Sequence, residues 1–576
     1  MKPLHSFTRG GQLAVHQYHM LKQICFVTIV LSILTGLLVG GILFFAGTTS
    51  AQRYIYGTYL LADFKVSISL KNPAAAHQEF KSASGKVLVV KSQKILRNHW
   101  ILSQVKGFEK GLIRILERSL WSMVFSAFLI IGYFLARGRI TDRKKLERGG
   151  YLVSPQTLKR LIKKSKQASD LTLDGLPLLK DKETSHILIT GTTGSGKTNC
   201  LHTLLPQIRK RPNRAIIVDL TGDFVSKYYR EGQDLLLNPF DQRSQLWSPW
   251  GECLMESHYD TLAASIVPKT SFTEPFWENA GKALLSSALK ELARRGEKDT
   301  QKLYEILVRS DLTDFSNFFR HTDAATYTHT DGEKMTLSIR ATLANYLQSF
   351  RLLKNVEAGF SIRKWVTDES NPDQWLFLSA RADQRETLRP LMSGWIDSAL
   401  NALMSLPPEL SSSSRRLWFI IDELPALQKL PSLEIALAEG RKYGGCMLAG
   451  VQSIPQLSTT YGSTQSQALL DLFNTKIFFR NTDPNTTAWI SKVLGEAETT
   501  EHIENLSYGA HTMRDGVNLA QHTHTKPLVL PTEIGALEDC EAYLKLPSAF
   551  PITKIKMTIK TRSTITTAFL LNYPEI

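Results

Sequence analysis

The chain has 576 residues, 43% of them hydrophobic and 21% charged, and this length allows two or three domains with a sizeable core. Five scattered cysteines without metal or redox spacing argue against a disulfide framework, so the catalytic part of the chain is expected in a reducing cytoplasm. The net charge is +16, but residues 1–170 hold 26 of the 69 basic residues and only 7 of the 53 acidic ones. This distribution is typical of membrane-flanking sequence, and the bulk charge therefore gives no argument for nucleic-acid binding.

Two uncharged apolar segments occur near the N-terminus. The first, residues 24–46, is long enough to span a bilayer and too long for the apolar region of a typical signal peptide, which is the competing interpretation. The second, "SLWSMVFSAFLIIGYFLA", ends at an Arg- and Lys-rich cluster that favours the cytoplasm. We predict a cytoplasmic N-terminus (1–23), a first span (24–46), a periplasmic loop (47–117), a second span (118–136) and a basic linker (137–175) that leaves the bilayer as a helix.

The stretch "HILITGTTGSGKTNC", residues 186–200, has the spacing of a phosphate-binding loop. Its apolar start suits a buried strand, its glycines let the backbone approach an anion, and the amides at the start of the next helix face the phosphates. Lys197 is expected to bind the β- and γ-phosphates of ATP, and Thr198 to bind Mg²⁺. The predicted nucleotide-binding residues are Gly191, Thr192, Thr193, Gly194, Ser195, Gly196, Lys197 and Thr198. The 47–117 segment is itself rich in lysine, which weakens the charge argument for placing it outside the cytoplasm. Because ATP is cytoplasmic, the phosphate-binding loop must be cytoplasmic too, and this supports the predicted topology.

A second motif, "RLWFIIDELPAL", is a hydrophobic strand that ends in two acids. Asp422 is expected to hold Mg²⁺ through water, and Glu423 to orient or deprotonate the attacking water. An acidic pair after apolar residues is common, but together with the phosphate-binding loop it becomes a specific signal. The adjacent acids favour hydrolysis over a kinase reaction, since water needs a base beside the metal.

The chain after the linker alternates between short strands and helices. Short apolar strands at helix-length intervals predict a parallel α/β sheet with helices on both faces. Between residue 250 and about residue 364 the pattern of short apolar strands disappears, and "FWENAGKALLSSALKELARR" has helical spacing instead. The predicted strands are 214–220, 234–240, 374–380, 416–422, 446–452 and 475–481; the predicted domains are a nucleotide-binding domain in two parts (176–250 and 365–576) and an all-helical insertion (251–364).

This organisation resembles the type IV coupling proteins of bacterial conjugation, the TraD-like membrane ATPases related to the FtsK and HerA DNA motors. The resemblance covers nearly the whole chain and includes "LTGDF" at Asp223, "NPFDQRSQLWSPW", "EPFWENAGKALL" and "FIIDELPAL". It implies a RecA-like P-loop NTPase fold with an all-helical insertion and a two-span anchor. It also implies a multi-pass protein of the bacterial inner membrane, with its ATPase domain in the cytoplasm.

The resemblance points to two further catalytic residues. Arg441 is placed like the arginine finger that reaches into a neighbouring subunit's site, and the alternative is that it caps a helix C-terminus. Gln452 resembles the polar sensor of the γ-phosphate or attacking water, and the alternative is a strand-end amide. An arginine supplied by a neighbour makes hydrolysis depend on assembly, and the resemblance therefore implies a ring of six subunits.

The expected function is to pump single-stranded DNA, with its attached relaxase, toward a type IV secretion channel in the membrane. The relaxosome is expected to dock on the helical insertion, because only sixteen residues follow the last strand-like run at 552–560. The alternatives are a coupling ATPase for effector proteins and a membrane receptor that uses ATP only as an assembly switch. A chromosome-segregating FtsK-type motor is disfavoured, since such proteins usually have more spans and a C-terminal DNA-reading domain.

Overall fold

The structure is a computed structural model that describes residues 2–68, 76–81, 85–141, 145–269, 275–328, 332–356, 359–368, 370–408, 415–507 and 516–571. Its contacts divide the chain into two compact units. The first consists of Met1–Lys145 with Thr500–His522, and the second of Leu146–Thr499 with Thr523–Ile576.

The first unit contains two helices that are long and apolar enough to cross a membrane, over Tyr18–Gly47 and His99–Arg137. These helices include both predicted spans, 24–46 and 118–136. Between them a small core packs around Ala62, Ile95 and Val105. The elements are α1 (Lys2–Gly47), α2 (Ser50–Ile68), β1 (His77–Lys81), β2 (Val87–Lys91), α3 (Ser92–Leu96) and α4 (His99–Thr141).

Small and hydroxyl-bearing residues join α1 to α4. The Ser119 hydroxyl donates to the Gly36 carbonyl at 2.6 Å, and Ser126 donates to the Ser32 hydroxyl at 3.1 Å. A Cβ atom on Gly36 would lie only 2.3 Å from the Met123 side chain, so glycine permits this close approach. Because the residue number rises along one helix and falls along the other, α1 and α4 pack antiparallel.

The second unit is built on a ten-stranded mixed sheet in the order β4-β17-β16-β13-β7-β12-β11-β8-β10-β9. Seven neighbouring strands, from β13 to β9, are parallel, whereas β16 runs antiparallel to β13 and to β17. The strands of this sheet are β4 (Leu152–Val153), β7 (Ile187–Thr190), β8 (Arg214–Asp219), β9 (Leu235–Leu237), β10 (Trp375–Ser379), β11 (Leu417–Ile421), β12 (Gly445–Val451), β13 (Thr475–Phe479), β16 (Glu541–Lys545) and β17 (Ile552–Lys556). Outside this sheet, β5 (Ala168–Leu173) pairs with β6 (Leu176–Leu179), and β14 (Glu496–Ser507) pairs with β3 (Lys145–Gly149) and β15 (Gly516–Pro527).

The all-parallel prediction is therefore wrong at one edge of the sheet. The connection from β16 to β17 is a short hairpin, and a connection of that length can only join antiparallel strands. The prediction of helices on both faces is confirmed. Leu188 belongs to one hydrophobic cluster and its neighbours Ile187 and Ile189 to another, so alternate residues of β7 are buried on opposite faces.

The linker prediction is also wrong, because residues 145–173 do not form a helix that leaves the bilayer. After α4 ends at Thr141, the chain forms β3, β4, a short helix and the β5–β6 hairpin. Asp174 and Gly175 make the turn of that hairpin with φ angles of 47° and 82°. An Asp-Gly pair between alternating leucines is a strong hairpin signal, and it outweighs the basic composition.

Helices surround the sheet and fill the region between β9 and β10. They are α5 (Pro155–Lys164), α6 (Lys197–Lys210), α7 (Asp223–Tyr228), α8 (Glu256–Ile266), α9 (Phe276–Arg294), α10 (Thr300–Tyr304), α11 (Leu312–Phe319), α12 (Glu333–Leu347), α13 (Ile362–Thr367), α14 (Arg385–Met404), α15 (Leu433–Glu439), α16 (Ile454–Tyr461), α17 (Ser463–Leu472), α18 (Pro484–Leu494) and α19 (Pro531–Gly535).

A single buried carboxylate ties together the two ends of the helical region from α8 to α13. Glu252, 2% exposed, accepts hydrogen bonds from the Ile362 amide at 2.6 Å and the Arg363 amide at 2.8 Å. The Trp247 indole donates to the same carboxylate at 2.8 Å. These amides lie at the start of α13, where a carboxylate satisfies otherwise unpaired donors. Glu252 therefore joins the chain just before α8 to the start of α13, at the two ends of the helical region.

Candidate active site

The loop after β7 is held by the ends of the two neighbouring strands. The Gly191 amide donates to the Val451 carbonyl at 3.3 Å, and the Thr192 amide donates to the Arg480 carbonyl at 2.9 Å. The Ser195 hydroxyl closes the loop on the Thr192 carbonyl at 2.6 Å. Gly196 has a φ of 116°, and a Cβ there would lie 3.0 Å from the Phe479 ring, so glycine is required.

Lys197 begins α6 and is 7% exposed. Its ammonium group donates to the Gly191 carbonyl at 2.5 Å and to the Thr192 carbonyl at 3.3 Å. Burial lowers the pKa of Lys197, and the nearby Glu423 and Asp422 carboxylates oppose that effect. The site thus holds one buried cation next to two acids.

Asp422 and Thr198 meet in front of the loop. The Thr198 hydroxyl donates to Asp422 Oδ2 at 3.2 Å, and burial raises the pKa of Asp422 against the opposing charge of Lys197. Within the described part of the chain, Asp422 Oδ1 and Glu423 Oε1 are buried oxygens that lack a hydrogen-bond partner. A hydroxyl and carboxylate oxygens are the donors that Mg²⁺ prefers, so these residues fit a divalent cation.

Glu423 lies beside Gln452, which follows β12. Burial raises the pKa of Glu423 to about 7, and the charge of Lys197 and the polar groups of Gln452 oppose that rise. The Gln452 carbonyl accepts a hydrogen bond from the Asn481 side chain at 2.6 Å, which fixes the turn after β12. A carboxyl group with a pKa close to physiological pH is suited to accept a proton.

These residues line one cavity of about 460 Å³. The P-loop residues Thr192 to Thr198, other than Ser195, line this cavity, whereas Gly191 and Ser195 do not. One flank contains Asp422, Glu423 and Gln452, and the other contains Asn199, Cys540 and Ile559. The arrangement can bind a polyphosphate and a divalent cation, and it presents a carboxylate for proton transfer.

Arg441 is not part of this cavity. It is exposed, on one turn of 3₁₀ helix (Gly440–Tyr443) before β12, whereas the cavity lies at the other end of that strand. A seven-residue strand spans roughly 23 Å, which is well beyond the reach of an arginine side chain. The neighbouring Lys442 pairs with Glu439 at 2.9 Å. Arg441 is therefore presented outward and away from the site of its own chain.

Comparison with known proteins decides the family. Residues 170–558 match the family model described as the type IV secretion-system coupling protein DNA-binding domain. The chain belongs to the type IV secretion-system coupling proteins. The match begins in β5 and ends just after β17, so it covers every strand of the mixed sheet except β4, together with the helical region of this coupling protein.

Individual relatives agree with this membership. The chain is 32% identical to the coupling protein TraD of Escherichia coli (strain K12) over 450 residues, which are 77% of this chain and 62% of TraD. It thus spans less than two thirds of the length of that curated relative. A solved structure of plasmid coupling protein TrwB in complex with ADP and Mg²⁺ is 32% identical, with a TM-score of 0.66, over 74% of this chain and 97% of that one. TrwB in complex with the non-hydrolysable ATP analogue ADPNP gives a TM-score of 0.66 at 32% identity, over 75% and 98%.

Several residues that surround the site of this coupling protein were missed from the sequence. Cys540 donates its amide to the Ser195 carbonyl at 2.9 Å, and the carbonyl of Arg480 holds the loop. Arg385, at the start of α14, lines the cavity and donates to the Leu220 carbonyl at 2.6 Å. These contacts use backbone groups or an arginine distant in sequence, so no local pattern identifies them.

Proposed function

We propose that this coupling protein is a RecA-like ATP hydrolase whose site is the cavity at the phosphate-binding loop. The observation that carries the proposal is the convergence of Lys197, Thr198, Asp422 and Glu423 around one cavity, although they come from two distant segments. The TrwB structures with ADP and Mg²⁺ and with an ATP analogue support the same ligands.

Each of these residues has a separate role in the proposal. Lys197 turns from the loop carbonyls toward the β- and γ-phosphates, and Thr198 and Asp422 hold Mg²⁺. Bound Mg²⁺ neutralises charge on the phosphates. Glu423 accepts a proton from the attacking water, and Gln452 orients the Glu423 carboxylate and contacts the γ-phosphate or that water.

The proposal includes a ring of six subunits. Arg441 is exposed at the edge of the sheet opposite its own cavity, so it serves only the site of a neighbouring copy. There it stabilises the charge that develops on the γ-phosphate, an effect of about 10³ to 10⁵ in rate in related nucleotide hydrolases. Hydrolysis in this coupling protein therefore depends on assembly.

The membrane topology and the cargo complete the proposal. The antiparallel pairing of α1 and α4 supports a two-span anchor whose outer ends lie on the same side of the membrane. In the proposal, this anchor lies in the inner membrane of a bacterium, with both termini and the ATPase domain in the cytoplasm. The family description supports DNA as cargo and a type IV secretion system as partner. In the proposal, the DNA is single-stranded and carries its attached relaxase. The helical region from α8 to α13 is the proposed docking surface for the relaxosome.

The test is ATP hydrolysis by the full-length protein in lipid nanodiscs, with single-stranded DNA, duplex DNA or no DNA. We expect single-stranded DNA to raise turnover several-fold, and Lys197→Ala to abolish nucleotide binding and turnover. Stimulation by a secreted protein but not by DNA would favour protein cargo instead. Turnover that is the same at any dilution and indifferent to DNA would contradict the pumping ring.

A further inference from the structure

The chain after β17 is a C-terminal strap, defined here as residues 557–571. It has little regular structure, but it is fixed to the second unit along its length. The Met557 amide donates to the Cys540 carbonyl at 2.8 Å, and the Ile565 amide donates to the Ser226 carbonyl at 2.8 Å. The other contacts are Arg562 with the His202 carbonyl, Arg243 with the Thr567 and Ala568 carbonyls, and the Leu570 amide with Asp241. The strap therefore crosses α6 and α7 in a defined path.

One residue of the phosphate-binding helix fixes the part of the strap that reaches the cavity. Asn199 directly follows Thr198, and its side-chain amide donates to the Thr558 carbonyl at 3.1 Å. The carbonyl oxygen of the same side chain accepts the Lys560 amide at 3.3 Å. Asn199 thus binds the main chain on both sides of Ile559 and sets the position of that residue.

Ile559 lines the cavity and is 75% exposed. A single exposed apolar residue is ordinary on a protein surface. Here Asn199 hydrogen-bonds to the main chain on both sides of Ile559, and the exposed Ile559 side chain forms part of the wall of the cavity. A ligand that enters the cavity can therefore cover this apolar surface.

The order of the strands decides which part of a nucleotide lies near Ile559. Asp422 and Glu423 follow β11, on one side of β7 in the sheet. Cys540 precedes β16, and the first residues of the strap follow β17, both on the other side of β7. A triphosphate whose terminal phosphate meets the acids can therefore direct its other end, the ribose and base, toward Ile559.

We propose that the C-terminal strap is the base-binding wall of the nucleotide site, with Ile559 as the apolar platform for the purine ring. The inference rests on the proposed function of the cavity as an ATP site. The Thr558 carbonyl and the Lys560 amide are already bonded to Asn199, so these two groups do not read the edge of the base. Adenine and guanine nucleotides should therefore depend on Ile559 to a similar extent.

The experiment compares nucleotides with a ligand that has no base. Binding of ATP, GTP and inorganic tripolyphosphate to the full-length protein in nanodiscs is measured by calorimetry. We expect Ile559→Ala to weaken ATP and GTP by about tenfold, as the loss of three carbons that a bound base covers on one side implies, and to leave tripolyphosphate unchanged. Ile559→Leu should retain most of the affinity for both nucleotides.

The matched control is Ile565→Ala, because Ile565 is an exposed strap residue (56%) that does not line the cavity. This variant should bind all three ligands like the wild type. Unchanged ATP affinity in Ile559→Ala, or an equal loss for ATP and tripolyphosphate, would overturn the platform role. A wild-type protein that binds neither ATP nor tripolyphosphate would instead refute the proposed function on which the inference rests.

Discussion

Replacing Glu423 by glutamine should abolish hydrolysis and, in the absence of nucleotide, stabilise the protein at alkaline pH. Burial raises the pKa of Glu423 from its ordinary 4.5 to about 7. The folded protein therefore keeps a proton that the unfolded chain releases, and its free energy of unfolding falls as the pH rises from about 4.5 to about 7. Glutamine carries no charge, so the Glu423→Gln variant lacks this contribution to the pH dependence of the free energy of unfolding.

The magnitude follows from the shift in pKa. Each pKa unit corresponds to about 1.4 kcal/mol, and because the residue keeps some exposure in the cavity, we expect about 2–3 kcal/mol at pH 8. At pH 4.5 the difference in the free energy of unfolding between the variant and the wild type should vanish. Spread over the roughly 400 residues of the second unit, this gain raises the melting temperature by on the order of 3 °C.

The assay is thermal unfolding of the full-length protein in detergent from pH 4.5 to 8.5, without nucleotide or Mg²⁺. Glu231→Gln, at an exposed glutamate, is the matched control and should shift the melting temperature equally at all pH values. A Glu423→Gln variant that is less stable than the wild type at pH 8, or a difference that does not change with pH, would refute the reasoning. Hydrolysis at the wild-type rate by Glu423→Gln would refute the role of Glu423 as the base.

Two further substitutions test other features of the site. Arg441→Ala should leave the ATP affinity within about twofold of the wild type but reduce the turnover of the assembled protein at least about a hundredfold. The control Lys442→Ala should keep a turnover near that of the wild type. Unchanged turnover in Arg441→Ala would reject the finger role. Gly450→Ala should destabilise the protein by about 1–3 kcal/mol or more and displace Asp422, because a Cβ there would lie 1.9 Å from the Asp422 carbonyl oxygen. Gly535→Ala, where the nearest contact would be 3.7 Å, is the control for this melting experiment, and equal melting temperatures of the two variants would contradict the steric argument.

The part of the site that the sequence predicts consists of residues close together in the chain. The loop from Gly191 to Thr198 has a spacing that only a phosphate-binding turn requires, and the acids at 422 and 423 end an apolar strand. The structure brings both motifs into one cavity. Their roles in catalysis stay predictions until the variants are measured.

The two errors in the fold prediction have different causes. The β5–β6 hairpin carries the Asp174–Gly175 turn signal in its sequence, but it lies in a basic stretch whose composition resembles a membrane-proximal linker. The antiparallel edge formed by β16 and β17 depends on the pairing of strands, and pairing is not encoded in the hydrophobic pattern of a single strand.

The sequence alone determined the phosphate-binding loop and the acidic pair, because both motifs depend on local spacing and on residues adjacent in the chain. It also determined the two apolar helices, because their length and lack of charge are local properties. Only the tertiary structure decided which flank of the loop faces the acids and which faces the C-terminal strap. It also decided that Arg441 points away from its own cavity, because both facts depend on the order in which distant strands pair.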